Sequence, residues 1–365
     1  MSDVVIIGGG VVGLSLAYEL RQRETSVTLL ARSDLAGESS WAGAGILAPG
    51  SLQGDRDPEN LLRAHTQELL ARWSVELHEE TGIDNGFRRC GSLAVTMEQG
   101  LPPLRSGADE GRWRRTGVPV ESGDSQDLER WEPDLRLLAP AAFRLPTEAQ
   151  LRNPRHCRAL AIACSHHHRL EPDRPVTGFK VQGTRIVAAE TSGGEVAGER
   201  FVVAAGAWSR KLLAPLGVDL PVKPIRGQIV LLKAPEQRLR HIVWCGSRYL
   251  GPRDDGRLLV GSTLEDEGFA PHTTARGVRD ILDFALRLAP DLGGFEVERS
   301  WAGLRPGTAD GLPYLGSLPG FDNLYVATGH YRAGVELSAG PALVMAQLLT
   351  GEEPSVPLEH FRPDR

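Results

Sequence analysis

Six residues near the start of the chain limit its fold more than any other segment. Gly8-Gly9-Gly10-Val11-Val12-Gly13 follows a short β-branched run, Asp3-Val4-Val5-Ile6-Ile7, and opens a small and apolar stretch, Val11 to Arg23, that reads as a helix. Gly8 permits the tight turn and Gly10 lets the backbone approach a pyrophosphate. Gly13 lets the helix pack close to the strand, while the helix N-terminus at Val11 and Val12 supplies amide donors and a favourable dipole. Ser26 to Leu30 reads as a second strand, so the chain begins as a Rossmann-type βαβ unit. The acid that should end the second strand and bind a ribose is missing. Ala31 and Arg32 follow Leu30 instead, with Asp34 nearby but out of register.

Length and composition limit the rest. The chain has 365 residues, which at ~150 per domain suggests two to three domains. With 41% hydrophobic and 24% charged residues it is neither disordered nor fibrous. A net charge of −6 argues against a nucleic-acid partner. Only Lys180, Lys211, Lys223 and Lys233 are lysines among the 41 basic residues, so a lone arginine carries little information. Cys90, Cys157, Cys164 and Cys245 make no disulfide framework and no C-x-x-C pair, which favours a reduced, cytoplasmic setting. No apolar run approaches the ~18 residues of a membrane span, and Val4 to Tyr18 lacks the basic flank of a signal peptide.

Further along, residues 39–50 form a low-charge segment of small residues, and by composition alone an ordinary loop. Periodicity predicts a helix over Glu59–Thr81 and a strand over Arg88–Met97, with weakly patterned surface elements over 99–140. Asn153-Pro154 reads as a helix start with Asn as cap, running to about His168. Strands are predicted over 184–191, 199–205, 223–233, 241–252, 257–263 and 295–303, with a helix over Arg276–Leu288. Asn323–Thr328 is a last strand and Ser338–Leu349 a last helix, closed by Gly351. The fold class is α/β (α+β overall), a Rossmann-type domain with an inserted antiparallel-sheet domain.

Two arginines stand out from the surplus by their settings. Arg305 lies in the otherwise uncharged run Trp301-Ala302-Gly303-Leu304-Arg305-Pro306-Gly307-Thr308, at a strand end. Arg332 lies in Gly329-His330-Tyr331-Arg332-Ala333-Gly334, between the last strand and the last helix. A planar guanidinium can grip a carboxylate in two bonds; taken singly, each arginine fits a structural ion pair equally well. Val202 to Trp208 reads as a buried strand ending in small residues. His156, Cys157, Cys164 and His166 to His168 offer metal-ligand types, but the two cysteines are seven apart on one helix face and read as buried thiols, so no metal is expected. Ser15 lies in no nucleophile-elbow context.

The glycine fingerprint, Ser39-Ser40-Trp41-Ala42-Gly43-Ala44-Gly45-Ile46-Leu47, Trp301 to Thr308 and Gly329 to Gly334, in this order, resemble the D-amino-acid-oxidase-like FAD flavoproteins, and within them the bacterial glycine oxidases of thiamine-thiazole synthesis. The resemblance covers essentially the whole chain and is loosest over 51–150. It implies an FAD-binding domain woven from 1–85, 146–215 and 298–365, and a substrate domain from 86–145 and 216–297. It implies noncovalent FAD held by Gly8, Gly10, Val11, Val12, Gly13 and Arg32, and by Ser39, Ser40, Ala42, Gly43, Ala44, Gly45 and Ile46. Val176, Ala205, Gly206, Trp208 and the turn His330, Tyr331, Arg332, Ala333, Gly334 and Val335 complete that set. Arg305 matches the arginine that binds the substrate carboxylate, Tyr249 the tyrosine that assists it, and Arg332 a second arginine beside the flavin. Ala31, Leu264, Ser247 and Gly340-Pro341 depart from the family pattern.

The implied reaction is oxidative deamination of glycine, and of sarcosine or small D-amino acids, by hydride transfer to flavin, with oxygen reduced to hydrogen peroxide. The implied partners are the small amino acid and oxygen, without nucleic acid or membrane, in a homo-oligomer that the family makes a tetramer. Two rival readings remain: a sarcosine or D-amino-acid dehydrogenase using another electron acceptor, and a flavin-binding partner protein without turnover.

Overall fold

The computed structural model describes residues 2–54, 56–95, 110–135, 142–233 and 239–365. The predicted end of the strand at Met97, and the parts of 99–140 between 99 and 109 and between 136 and 140, lie outside the described residues. The opening strand Ser2–Ile7 pairs in parallel with Val27–Leu30 on one side and Gly194–Val203 on the other. Arg169–Glu171 and Leu324–Thr328 extend this parallel layer at its two sides.

Both faces of the layer are covered, which is why its first strand is a continuous apolar run. Val4 and Ile6 enter one core with Leu14, Leu70 and Trp73, from the helices Val11–Arg21 and Pro58–Thr81. Val5 and Ile7 enter another with Phe201, Leu213 and Leu324. Gly194–Val203 is longer than predicted because it serves twice. Its second half joins the parallel layer, and its first half pairs antiparallel with Arg185–Thr191, which pairs in turn with Val176–Gln182.

Among the described residues the second sheet has eight strands, and its longest ladder joins Lys223–Lys233 to Glu296–Gly307 antiparallel along their whole lengths. The expected antiparallel pattern has one exception: Ile242–Cys245 runs parallel to Ser92–Val95, two strands from separate stretches of chain. The single strand predicted over 241–252 is a hairpin, Ile242–Cys245 and Arg248–Pro252, because Gly246 takes φ +60° between them. The domain boundary expected at 298 falls inside the strand Glu296–Gly307 of the second sheet. Val230, Leu232 and Val260 face outward onto the amphipathic helix Ala275–Leu288, packing on Ile281, Phe284 and Leu288.

The helix over Asn153–Ser165 is capped differently from the sequence reading. Arg152 occupies the cap position without a side-chain bond, and the Asn153 amide donates instead to the Ser40 carbonyl at 3.1 Å. Cys157 and Cys164 are buried in the core, and burial pushes both thiols up to about 12. His156 is fully buried on the same helix, its Nδ1 3.2 Å from the Asn85 amide, and burial lowers its pKa from 6.5 to about 4. The unfolded chain therefore binds a proton at this site at a higher pH than the folded chain. Stability is full above about pH 6.5 and falls by up to about 1.4 kcal/mol per pH unit as the pH drops towards 4. Urea midpoints measured between pH 7.5 and 4.5 are expected to decline, and His156→Asn to decline less steeply; parallel curves would contradict this.

Candidate functional site

A cavity of about 430 Å³ runs between the parallel layer and the inner face of the second sheet. It begins at the glycine turn. A Cβ on Gly8, whose φ is +131°, would strike the Ala204 carbonyl, and one on Gly13 would strike the Gly8 carbonyl. Helix and strand are thus closer than any side chain allows. The helix Val11–Arg21 starts at Gly10 with no side-chain cap and no acid in its first turn. Its Val11 amide donates to Ser40 Oγ at 2.9 Å. A helix N-terminus with glycine as its cap residue and no acid in its first turn suits a pyrophosphate.

Ser39, Ser40, Ala42, Gly43, Ala44, Gly45 and Ile46 also line the cavity. The segment is not a loop throughout: Ser39–Ala42 forms a helical turn and Ile46–Leu47 a short strand. Asn153 holds it in place, with Nδ2 2.5 Å from where a Gly43 Cβ would stand, and it lines the cavity itself. Arg253 holds it from the other side. This arginine is buried, and it donates to Gln150 Oε1 at 2.7 Å, to the Leu151 carbonyl at 3.0 Å and to the Ala44 carbonyl. Burial lowers its pKa to about 10, so it remains a cation. Both residues escaped the sequence reading. Asn-Pro reads as a cap, and Arg253 is one arginine among many.

Of the residues expected from sequence, Gly8, Gly10, Val11, Val12, Arg32, Val176, Ala205, Gly206 and Trp208 line one half of the cavity. His330, Tyr331, Arg332, Gly334 and Val335 line the other. Gly13 and Ala333 do not. Gly13 lies behind the turn it allows, and Ala333 is buried in the core beside Leu337. Where a ribose-binding acid was expected, the Ala31 methyl lies 2.7 Å from where a Gly9 Cβ would stand. Ser33, Asp34 and Glu38 supply the polar lining there, with Arg32 paired to Glu38 and its Cζ 3.8 Å from the Trp208 ring centroid. Tyr331 has φ +46°, a backbone state that costs a bulky residue about 1–3 kcal/mol and puts local strain in the cavity wall. Beside it, burial lowers the His330 pKa to about 3, so this imidazole is neutral at working pH.

The far end of the cavity is built by the second sheet. Ile229, Trp244 and Tyr249 form an apolar wall, the Trp244 and Tyr249 rings packed edge to face at 5.2 Å. Trp244 is fixed by the buried Glu148, which accepts its indole N–H at 3.1 Å. The Arg305 guanidinium lies over Gly227, the diagonal neighbour on the facing strand, where a Cβ would overlap it. Arg305 donates to Ser262 Oγ at 2.8 Å and to the Thr263 carbonyl at 3.2 Å, and makes no ion pair with a carboxylate among the described residues. Burial lowers its pKa from the ordinary arginine value, far above neutrality, so it stays charged. Burial also raises the Tyr249 pKa, against the pull of Arg305 and Arg332, keeping a protonated phenol beside the guanidinium. Arg332 donates to the Ser247 carbonyl at 2.8 Å.

A glycine-lined cleft headed by a helix N-terminus, and closed by a sheet that presents a desolvated arginine and a tyrosine, is the class of site that suits a dinucleotide and a small anion. Comparison with known proteins agrees: the chain belongs to the FAD dependent oxidoreductase family (DAO), which matches residues 3–348, and is an FAD-dependent amino-acid oxidoreductase. It is 35% identical over 364 residues to a glycine oxidase of Pseudomonas aeruginosa, covering 99% of this chain and 98% of that one. The crystal structure of glycine oxidase from Geobacillus kaustophilus superposes with a TM-score of 0.91 at 32% identity, covering 100% of this chain and 98% of that one. A bifunctional protein ThiO/ThiG of a Nostoc species is 33% identical over all of this chain and 55% of its own length.

Gly227 gives a direct test of the guanidinium seat. Gly227→Ala is expected to displace Arg305 and raise the KM for the amino acid at least tenfold, while the bound flavin spectrum is retained. An unchanged KM would mean that Arg305 does not need this floor.

Proposed function

We propose that the chain oxidatively deaminates glycine, and with it sarcosine and small D-amino acids, to the imine, which water converts to the 2-oxo acid and the released amine. The observation that carries this reading is the partly buried Arg305 guanidinium, lining the cavity with a hydroxyl and a carbonyl as its hydrogen-bond partners and no carboxylate paired to it among the described residues. A desolvated cation in that state favours an arriving carboxylate, and its planar fork can hold one in two bonds. The protonated Tyr249 hydroxyl donates a further hydrogen bond to the same carboxylate. Together they fix the Cα–H bond towards the cofactor-binding half of the cavity, in a near-attack geometry. Ile229, Trp244 and Tyr249 leave an apolar wall that favours a small substrate and excludes water.

FAD fits the cradle of Gly8, Gly10, Gly43 and Gly45 and, when bound, would supply the two-electron acceptor for the Cα hydride, with oxygen as the final oxidant. Arg332 and the amides near Gly334 stand where they would favour negative charge on that acceptor. No side chain needs to remove the Cα proton. The neutral His330 fits this, because burial keeps the one imidazole in the His330–Val335 turn uncharged. The likeness to glycine oxidases, and to a ThiO/ThiG fusion of which this chain spans about half, supports a role in supplying the imine for thiazole synthesis.

Glycine added anaerobically to the purified yellow protein is expected to bleach the flavin absorbance, which recovers on aeration with one peroxide per turnover. Bleaching without recovery would assign another electron acceptor, and no bleaching by any small amino acid would reduce the protein to a flavin binder. Arg305→Lys is expected to lower kcat/KM for glycine at least about 30-fold, the scale of losing a contact of about 2 kcal/mol to a buried charge. FAD affinity should stay unchanged, and near-normal glycine kinetics in this variant would remove Arg305 from the site.

A further inference from the structure

We propose that Glu265 is a positioning residue for the carboxylate clamp, fixing the turn that seats Arg305 by gripping the opposite side of the strand beneath it. The inference rests on the reading of Arg305 as that clamp. In the strand Lys223–Lys233, side chains alternate between the two faces of the sheet. Gly227 faces the cavity under the Arg305 guanidinium, while Arg226 and Gln228 point the other way. Glu265 spans these two outward side chains. One of its carboxylate oxygens accepts from Arg226 Nε at 3.1 Å and also from Arg226 Nη2, and the other accepts from Gln228 Nε2 at 2.7 Å. Burial raises the Glu265 pKa, but hydrogen bonds from Thr263, Arg226 and Gln228 outweigh this and hold the carboxyl below its usual range.

The same contacts hold the turn from Ser262 to Glu265. The Glu265 amide donates to the Arg226 carbonyl at 3.0 Å, and the Arg226 amide to the Glu265 carbonyl at 2.8 Å. The Gln228 amide donates to Thr263 Oγ1 at 2.9 Å. On the cavity side, the turn presents the Ser262 hydroxyl and the Thr263 carbonyl, the two acceptors for Arg305. Ser262 also acts on the Tyr249 hydroxyl, drawing its pKa down against burial, so one serine bears on both members of the clamp. Gln228 carries the grip onward, since its Oε1 accepts from the Thr274 amide at 2.8 Å at the cap of the helix Ala275–Leu288. Glu265 does not itself line the cavity. Its effect therefore reaches the substrate through the aim of Arg305.

The test uses the FAD-loaded protein with glycolate as a non-reacting carboxylate probe, its binding read from the perturbed flavin absorbance. Glu265→Ala is expected to raise the glycolate Kd and the glycine KM together by at least tenfold, with a smaller fall in kcat and an FAD affinity within twofold of the parent. Glu265→Gln keeps the acceptor for Gln228 and is expected to fall between parent and alanine variant. It carries the same test if the alanine variant does not fold. A lowered melting temperature with glycolate Kd and glycine KM within twofold of the parent would overturn the proposal and leave Glu265 a stability residue. Arg305→Lys is measured beside them: if it too leaves glycolate binding unchanged, the clamp reading itself fails, and the positioning role with it.

Discussion

The site depends on one ladder, the antiparallel pairing of Lys223–Lys233 with Glu296–Gly307. One face of it carries Gly227, Ile229, Trp301, Gly303 and Arg305 towards the cavity, and the other carries Arg226, Gln228 and Val230 away. Because the side-chain period is two, a one-residue slip of Glu296–Gly307 would turn Arg305 outward, and one of Lys223–Lys233 would bring Arg226 in. The register is held by the apolar residues on both faces and by glycine where space is least. A Cβ at Gly303 would stand 2.6 Å from Ala42 Cβ, so the ladder presses directly on the segment that lines the cofactor half of the cavity. The Trp301 indole donates to the Ala42 carbonyl at 2.9 Å and fixes that contact. Substrate end and cofactor end are therefore positioned by the same two strands.

How much of this was legible in the sequence follows from where each constraint sits. The glycine turn was legible because its three constraints fall within six consecutive residues, and a short-range pattern needs no knowledge of distant chain. Arg305 stood out because its neighbours are uncharged, which made the guanidinium conspicuous despite the surplus of arginines. Asn153 did not stand out as a site residue. Its amide serves Ser40 and its side chain abuts Gly43 and Gly45, residues more than a hundred positions earlier, while its local context matches a helix cap. Glu265 was similarly hidden: in Leu264-Glu265-Asp266-Glu267 it reads as one of several solvated acids, and only the fold brings Arg226 and Gln228 beneath it.

The same limit explains the elements that came out differently. Gly194–Val203 runs past its predicted start because its first half is stabilised by an antiparallel neighbour rather than by its own apolar pattern. The hairpin at Gly246 was merged into one strand because both arms are apolar and the turn is only two residues, Gly246 and Ser247. That turn matters to the site. The Ser247 carbonyl accepts from Arg332, so backbone exposed by the hairpin helps to hold the second arginine.

Electrostatics then favour a carboxylate at the closed end of the cavity. Arg305, Arg332 and Arg253 lie close enough to act on the Tyr249 phenol, yet burial still keeps that phenol protonated. Burying Arg305 and Arg253 without a carboxylate partner among the described residues costs stability, and the cost is tolerated because neutral acceptors partly solvate each of these two guanidinium groups. Ser262 and Thr263 do this for Arg305, and the carbonyls of Ala44 and Leu151 do it for Arg253. Neutral acceptors satisfy the donors but leave the charge uncompensated. A carboxylate entering this cavity supplies the missing charge, while a substrate without one leaves the guanidinium as it was. On the proposed reading, selection for amino acids over simple amines would follow from the charge that Arg305 leaves uncompensated among the described residues as much as from what it contacts.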